Sequence, residues 1–392
     1  MFDRIWVVLR KEVVDNLRDR RTLMTAVLVP LLGPVLMVTM FMVIGSTRTK
    51  QAEKPLELPV AGAENAPNLI EFLHQHNTII QPAPADPEAA VKAGDADVVL
   101  IIPEGFGDDF TTGRPATVQL VLDDSRQTGD VARHRIRQLL NAYSNTIGNL
   151  RLLARGVSPT VTSALAVETV SVATEQSRAA QVLGVMPYFV ILSIFVGGMY
   201  LAIDTTAGER ERRSLEPLLI NPVARRDFVL GKYGATLAFT LVSTIEVLIA
   251  FLVILNRVPL EQYLGIRLTL NAGAVFAIFL ISLPIMLLAP ALQIIIATST
   301  RSFKEAQNYL SLLPMVPALP GLFLAFMPVK AKLWMMLIPT YGQQLLINQL
   351  MRGEPVEAAH VAVSVVATTI VALLGLWLAV KLYERERTVF GR

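Results

Sequence analysis

Six long apolar stretches, separated by polar segments of very unequal length, set the pattern of this chain. They run from about Leu23 to Ile44, Val182 to Ile203, Val229 to Leu255, Ala272 to Ala297, Ala306 to Met327 and Val361 to Leu382. About 20 apolar residues wound as helix cross a bilayer, so each stretch predicts a membrane span. Pro30 and Pro34 kink the first, and Pro314, Pro317 and Pro320 interrupt the fifth. Ahead of the first span, residues 1–22 place Ile5, Leu9, Val13 and Leu17 four apart, beside Trp6 and six arginines and lysines. That is the pattern of an amphipathic helix lying at a membrane interface. The apolar run after it is too long for a signal-peptide core, and no small-residue cleavage site ends it, so it reads as an uncleaved anchor, span one over 23–46.

Between spans one and two the pattern changes abruptly. Residues 47–180 are polar and rich in Pro, Asp and Gln. Leu56–Ala61, Val98–Ile102 and Thr117–Leu122 predict strands. Residues 68–75, 103–110 and 133–153 predict helices, the last from Ile136, Leu139, Leu140, Tyr143 and Ile147 at helical spacing. This predicts one α+β domain of ordinary size. Residues 181–392 hold the other five spans. Within them 330–354 is amphipathic and broken at Pro339-Thr340-Tyr341-Gly342, which predicts short helices dipping into the outer leaflet under cover of protein.

Composition narrows the function classes. The chain has 392 residues, 53% of them hydrophobic and 17% charged, which points to a multi-span membrane protein. A net charge of +3 gives a nucleic-acid partner no support, and the absence of cysteine removes disulfides, thiol catalysis and cysteine metal sites. The basic residues set orientation. Eighteen lysines and arginines flank the spans on the side of the two termini and five on the other. Both termini are therefore expected in the cytoplasm and the α+β domain outside it. Gly231-Lys232 is followed by Tyr233, and Arg226 stands where a phosphate-binding loop has its first glycine, so the chain carries no ATPase motif of its own. No catalytic or metal site is read in it. His74 and His76 are two apart and share no helix face.

Two places carry candidate chemistry. Glu246 lies near the middle of span three, where an ionisable group costs about 3 kcal/mol on insertion scales and usually faces a pathway or a partner. Ser243 shares its face, and Gln293 and Asn308 are candidates to join it on a translocation path. The other reading of Glu246 is a neutral acid bonded to a neighbouring helix. The second place is the loop 207–228 between spans two and three. Gly208 to Lys232 reads GERERRSLEPLLINPVARRDFVLGK, with Leu215, Leu218 and Leu219 on one side of a short helix that Pro222 closes.

This loop resembles the first cytoplasmic loop of ABC-2 type transporter permeases, whose coupling helix fits a groove of the ATP-binding subunit. The matching residues are Glu209, Arg210, Glu211, Ser214, Leu215, Glu216, Leu218, Leu219, Pro222, Arg225, Gly231 and Lys232; Arg213 stands where many members have glycine. The resemblance extends over the elbow helix 1–22, the domain after span one and the six spans, and is nearest to the sodium-export permeases. It implies an α-helical membrane protein with six transmembrane helices, type V ABC exporter-like, with an extracytoplasmic α+β domain. It further implies a bacterial inner-membrane permease subunit, a homodimer or pair with a similar permease, in contact with membrane lipid. A separate ABC subunit carrying ATP and Mg would drive it. The cargo implied is Na+ or another small substrate, with drugs, peptides or lipids as the alternative. An ATP-independent carrier, or a membrane sensor with a ligand-binding outer domain, is the rival class. Neither internal repeats nor an output domain appear in its support.

Overall fold

The computed structural model describes residues 2–53, 55–123, 130–162, 183–214, 224–258, 270–327 and 329–384, together with Leu165, Glu168, Val170 and Glu261. The chain divides into two compact units, Met1–Gly45 with Val172–Arg392, and Ser46–Ser171.

The first unit is helical. It begins with α1 (Phe2–Arg18) and with α2 (Arg20–Glu53) as far as Gly45. After the second unit come α7 (Met186–Glu211), α8 (Arg225–Arg257) and α9 (Ala272–Ser299). Next are α10 (Phe303–Leu312) and α11 (Met315–Phe326), then α12 (Tyr341–Arg352) and α13 (Ala358–Glu384). Six segments are long and apolar enough to cross a membrane: Thr22–Val43, Met186–Glu211, Arg225–Arg257, Ala272–Ser299, Phe303–Phe326 and Ala358–Glu384. The fifth is two helices, α10 and α11, because Pro314 lacks the N–H that would continue α10. Pro284 and Pro290 lie within α9, which nevertheless runs unbroken.

Close packing explains where small residues fall. A side chain on Gly197 would come within 2.5 Å of Ser243 Cβ, and one on Gly198 within 2.8 Å of the Thr236 carbonyl oxygen. The backbones of α7 and α8 approach there as small residues allow. The facing stripe of α8 is Thr236, Thr240, Ser243 and Thr244, all fully buried. The three threonine hydroxyls donate to carbonyls one turn back, at Lys232, Thr236 and Thr240, so the hydroxyls are satisfied without leaving an apolar setting. The apolar core of this unit gathers Ile191, Ile194 and Phe195 of α7, Val247 and Phe251 of α8, Ile285 of α9 and Leu346 of α12.

Helix α1 packs along α8. Gly231 accepts Val8 and Gly234 accepts Leu9. The buried stripe of α1 is Val8, Glu12 and Asn16, one position behind the apolar row, while Trp6 and Leu17 stay exposed.

The second unit holds β1 (Leu56–Ala61), α3 (Pro67–Gln75), β2 (Thr78–Pro82), α4 (Pro87–Ala93) and β3 (Val98–Ile101). It continues with α5 (Phe106–Thr111), β4 (Gln119–Leu122) and α6 (Asp130–Ala154). The sheet order is β2-β1-β3-β4, parallel except for the antiparallel pair β3–β4. Leu56, Leu58 and Val60 alternate with more exposed neighbours on β1, and they join Val98, Leu100, Leu69, Leu73 and Ile136 in one core. Val99 points to the opposite face, and α4 packs there on β3 and β4. Asp86 caps α4 by accepting from the Ala89 N–H at 3.0 Å, and Gly94, in the left-handed region, ends it.

Candidate functional site

Both stems of the polar loop between α7 and α8 are tied into the helical unit. The first stem begins where α7 opens into a π turn at Asp204–Gly208 and then carries Glu209, Arg210 and Glu211. Such wide turns occur mostly as single bulges and often at functional places. Here the bulge turns Glu209 into the protein, where it is 6% exposed.

Glu209 meets Lys232 of α8, whose ammonium donates to the Glu209 Oε2 and to the Thr205 carbonyl. The Lys232 ammonium also lies 5.8 Å from the centre of the Tyr383 ring near the end of α13. The other Glu209 oxygen is 3.9 Å from Lys11 Nζ, and Lys11 bonds Glu12 at 3.2 Å. Four ionisable groups on α1, α7 and α8 thus form one cluster, with Glu12, Glu209 and Lys232 buried. Charges in such a place require partners, since an unpaired buried ion is costly. Burial raises the pKa of Glu12, and Glu209 adds to the rise; the Lys232 and Lys11 ammoniums oppose it.

The neighbouring residues fasten the same stem to the α9–α10 junction. Arg210 donates to the Thr298 carbonyl at 2.6 Å and to that of Thr300, past the end of α9. Glu211 accepts from the Phe303 N–H at 2.7 Å, at the start of α10. Arg212 returns to Asp204 across the π turn at 2.8 Å. That hydrogen bond is the main cause of a raised Arg212 pKa, so its charge is held firmly. Arg213 takes φ 55°, the left-handed region, and Ser214 closes the turn, its N–H donating to the Glu209 carbonyl at 3.0 Å and its hydroxyl at 3.1 Å. The position where many ABC-2 permeases carry glycine is therefore one where the backbone favours glycine. The second stem begins at Arg225, whose guanidinium donates to the Glu384 carbonyl of α13 at 2.9 Å.

The sequence matches the family described as ABC-2 family transporter protein over residues 25–381. The chain belongs to the ABC-2 transporter family. Its sequence is also similar to the ABC transporter permease protein NatB of Bacillus subtilis (strain 168), with 28% identity over 374 residues, 93% of this chain and 94% of that protein. The ABC-2 proteins of this kind are permease subunits, not themselves ATPases, and membership implies an ATP-binding ABC partner.

Of the residues read as coupling contacts in this ABC-2 chain, Glu209, Arg210, Glu211, Ser214 and Arg225 form the two stems just described. Leu215, Glu216, Leu218, Leu219 and Pro222 lie outside the described residues. The three candidates for a translocation path are not brought together by any hydrogen bond among the described residues. Glu246 is half-buried on α8 with its Oε2 buried and unpartnered. Gln293, fully buried on α9, donates to the Phe195 carbonyl at 2.6 Å. Asn308 is exposed on α10. Sequence reasoning passed over Lys11, Glu12 and Tyr383. A signal existed: Lys232 sits within an apolar helix, and such a cation demands a buried partner.

Proposed function

We propose that this ABC-2 permease subunit works in an exporter in which a separate subunit binds ATP and Mg and drives the spans through the loop 207–228. The observation that carries the reading is the anchorage of both loop stems: Glu209 and Arg210 to α1, α8 and the end of α9, Arg225 to the end of α13. A displacement applied to such a loop reaches four helices at once.

The orientation follows from the eighteen-to-five bias of lysine and arginine. Both termini and the loop lie in the cytoplasm of a bacterial cell, where ATP is, and the α+β domain 47–180 lies outside the inner membrane. Two copies of the chain pair in the bilayer. The cargo is Na+ or another small substrate. For a cation the unpartnered Glu246 oxygen is the group to examine first.

The test is copurification of the tagged chain from native membranes, followed by ATPase assay of the complex. A stoichiometric ATPase, lost when Glu216 and Leu218 are replaced, is the expected result. A stable chain that retains its ATPase and its transport after those replacements would remove the loop from the coupling role. A stable chain that brings down no ATPase would remove the exporter reading itself. Vesicle transport with Glu246→Gln then addresses the cargo: unchanged Na+ dependence would exclude Glu246 from a cation path.

A further inference from the structure

The sheet-bearing unit contains a cavity that its own core does not fill. It lies between α5, the segment 113–118 and α6, and measures about 310 Å³. That is within the range of small-molecule sites, roughly 300–1,000 Å³. Its floor is apolar, made by Leu69, Phe106, Leu140 and Ile147. The space exists because α6 presents Ser144 and Gly148 where longer side chains would fill it; a Cβ built on Gly148 meets nothing within 4 Å.

Polar groups converge at one end. Arg151 stacks over the Phe110 ring at 4.8 Å and is fixed by donating to the Phe110 carbonyl at 2.6 Å. Those contacts hold the guanidinium in place without neutralising it. No carboxylate lines the cavity, and none of the described residues forms an ion pair with Arg151. Arg155 adds a second cation near the rim, since its Nη2 lies 3.2 Å from where a Cβ on Gly113 would stand. Tyr143 also lines the cavity, and its hydroxyl has no hydrogen bond to any described residue. Burial raises the pKa of this phenol, so it stays a donor at neutral pH, although Arg151 opposes the rise.

We propose that this cavity is a binding site for a small amphiphilic carboxylate, such as a medium-chain fatty acid. The chain of the ligand lies on the floor of Leu69, Phe106, Leu140 and Ile147, and its carboxylate pairs with Arg151 and the Tyr143 hydroxyl. A neutral ligand of the same shape would leave the cation unanswered. This site is independent of the coupling role of the α7–α8 loop, and its test does not involve transport.

The chain has no cysteine, so single-thiol reporters can be placed at will. The full-length protein would carry Ser144→Cys in the cavity or, as a control, Glu88→Cys exposed on α4. Each would be reconstituted in nanodiscs of zwitterionic lipid, and the rate of maleimide labelling measured with decanoate or decanol. Decanoate should slow labelling at Cys-substituted position 144 and not at position 88, and decanol should act more weakly. Arg151→Gln in the same background should raise the protecting decanoate concentration by about tenfold or more, as loss of a charged hydrogen bond requires. Gly148→Leu, which fills the cavity, should abolish protection in a protein that still folds, and so keeps the test decisive if Arg151→Gln does not fold. Discs of anionic lipid distinguish a free acid from a lipid headgroup. Protection present there before decanoate is added, and unchanged by it, would overturn the assignment. So would equal protection at both positions, no protection at either, or protection that survives both substitutions.

Discussion

Lys232 and Glu209 form a buried ion pair across 23 positions of sequence, their side chains 1% and 8% exposed. Loss of one partner leaves the other charge buried alone. Lys232→Met or Glu209→Gln should each lower stability by roughly 3–5 kcal/mol, whereas the double variant should lose much less than the sum. Apparent melting temperatures of the detergent-purified proteins measure this. Additive losses would mean that the two side chains do not pair with each other.

Gly198 and Gly234 offer a contrast in how closely helices approach α8. A Cβ on Gly198 would sit 2.8 Å from a backbone oxygen, which cannot step aside, while on Gly234 it would meet the mobile end of Leu9. Gly198→Ala should therefore cost about 1–3 kcal/mol through overpacking, and Gly234→Ala should be close to neutral. Yield and melting temperature of the two variants side by side decide it, and equal behaviour would count against the close α7–α8 contact.

Arg213 holds a left-handed backbone that costs a residue with a Cβ about 1 kcal/mol relative to glycine. Arg213→Gly should raise the melting temperature slightly or leave it unchanged. Arg213→Val, branched at Cβ, should lower it. The reverse order would show that the Arg213 side chain matters more than its backbone.

Glu12 gives a pH dependence of known sign. Its folded pKa is raised, so the folded protein holds this proton more tightly than the unfolded chain. Its contribution is fully present below the unfolded carboxylate value and is lost as pH rises through the folded one. Glu12→Gln removes the ionisation. The melting temperature of the variant, relative to the parent, should therefore improve between acidic and neutral pH. A difference that stays flat with pH, or moves the other way, would contradict the raised pKa.

The six spans were legible because length and apolarity are properties of single segments, and no partner is needed to see them. The same holds for β1 and α6 of the smaller unit, each with a clear period, and for β3, a short continuous apolar run. Strand β2, Thr78–Pro82, escaped because only Thr78 is buried, Ile80 and Gln81 are half-buried and Ile79 is exposed, and it ends in proline, so no alternation shows. Helix α4 is only seven residues and carries a short apolar face centred on Val91. On α1 the apolar row Ile5–Leu17 was visible, yet the stripe that is buried contains Glu12 and Asn16. That choice is made by Lys232 on another helix, and pairings between distant residues leave no trace in local periodicity. Glycine preference at position 213 was readable by resemblance, whereas the left-handed φ behind it needed the structure.

A π turn winds one more residue into a turn than an α-helix does. Each residue of α-helix advances about 100° around the axis. If the turn at Asp204–Gly208 tightened to ordinary winding, everything after it would revolve by about that angle. Glu209 would swing off Lys232, and Arg210 would leave the carbonyls of Thr298 and Thr300 in the same movement. The end of α7 is thus threaded like a screw: a push along the stem and a rotation of its charges are one motion, and the seated and released positions differ by a single residue of thread.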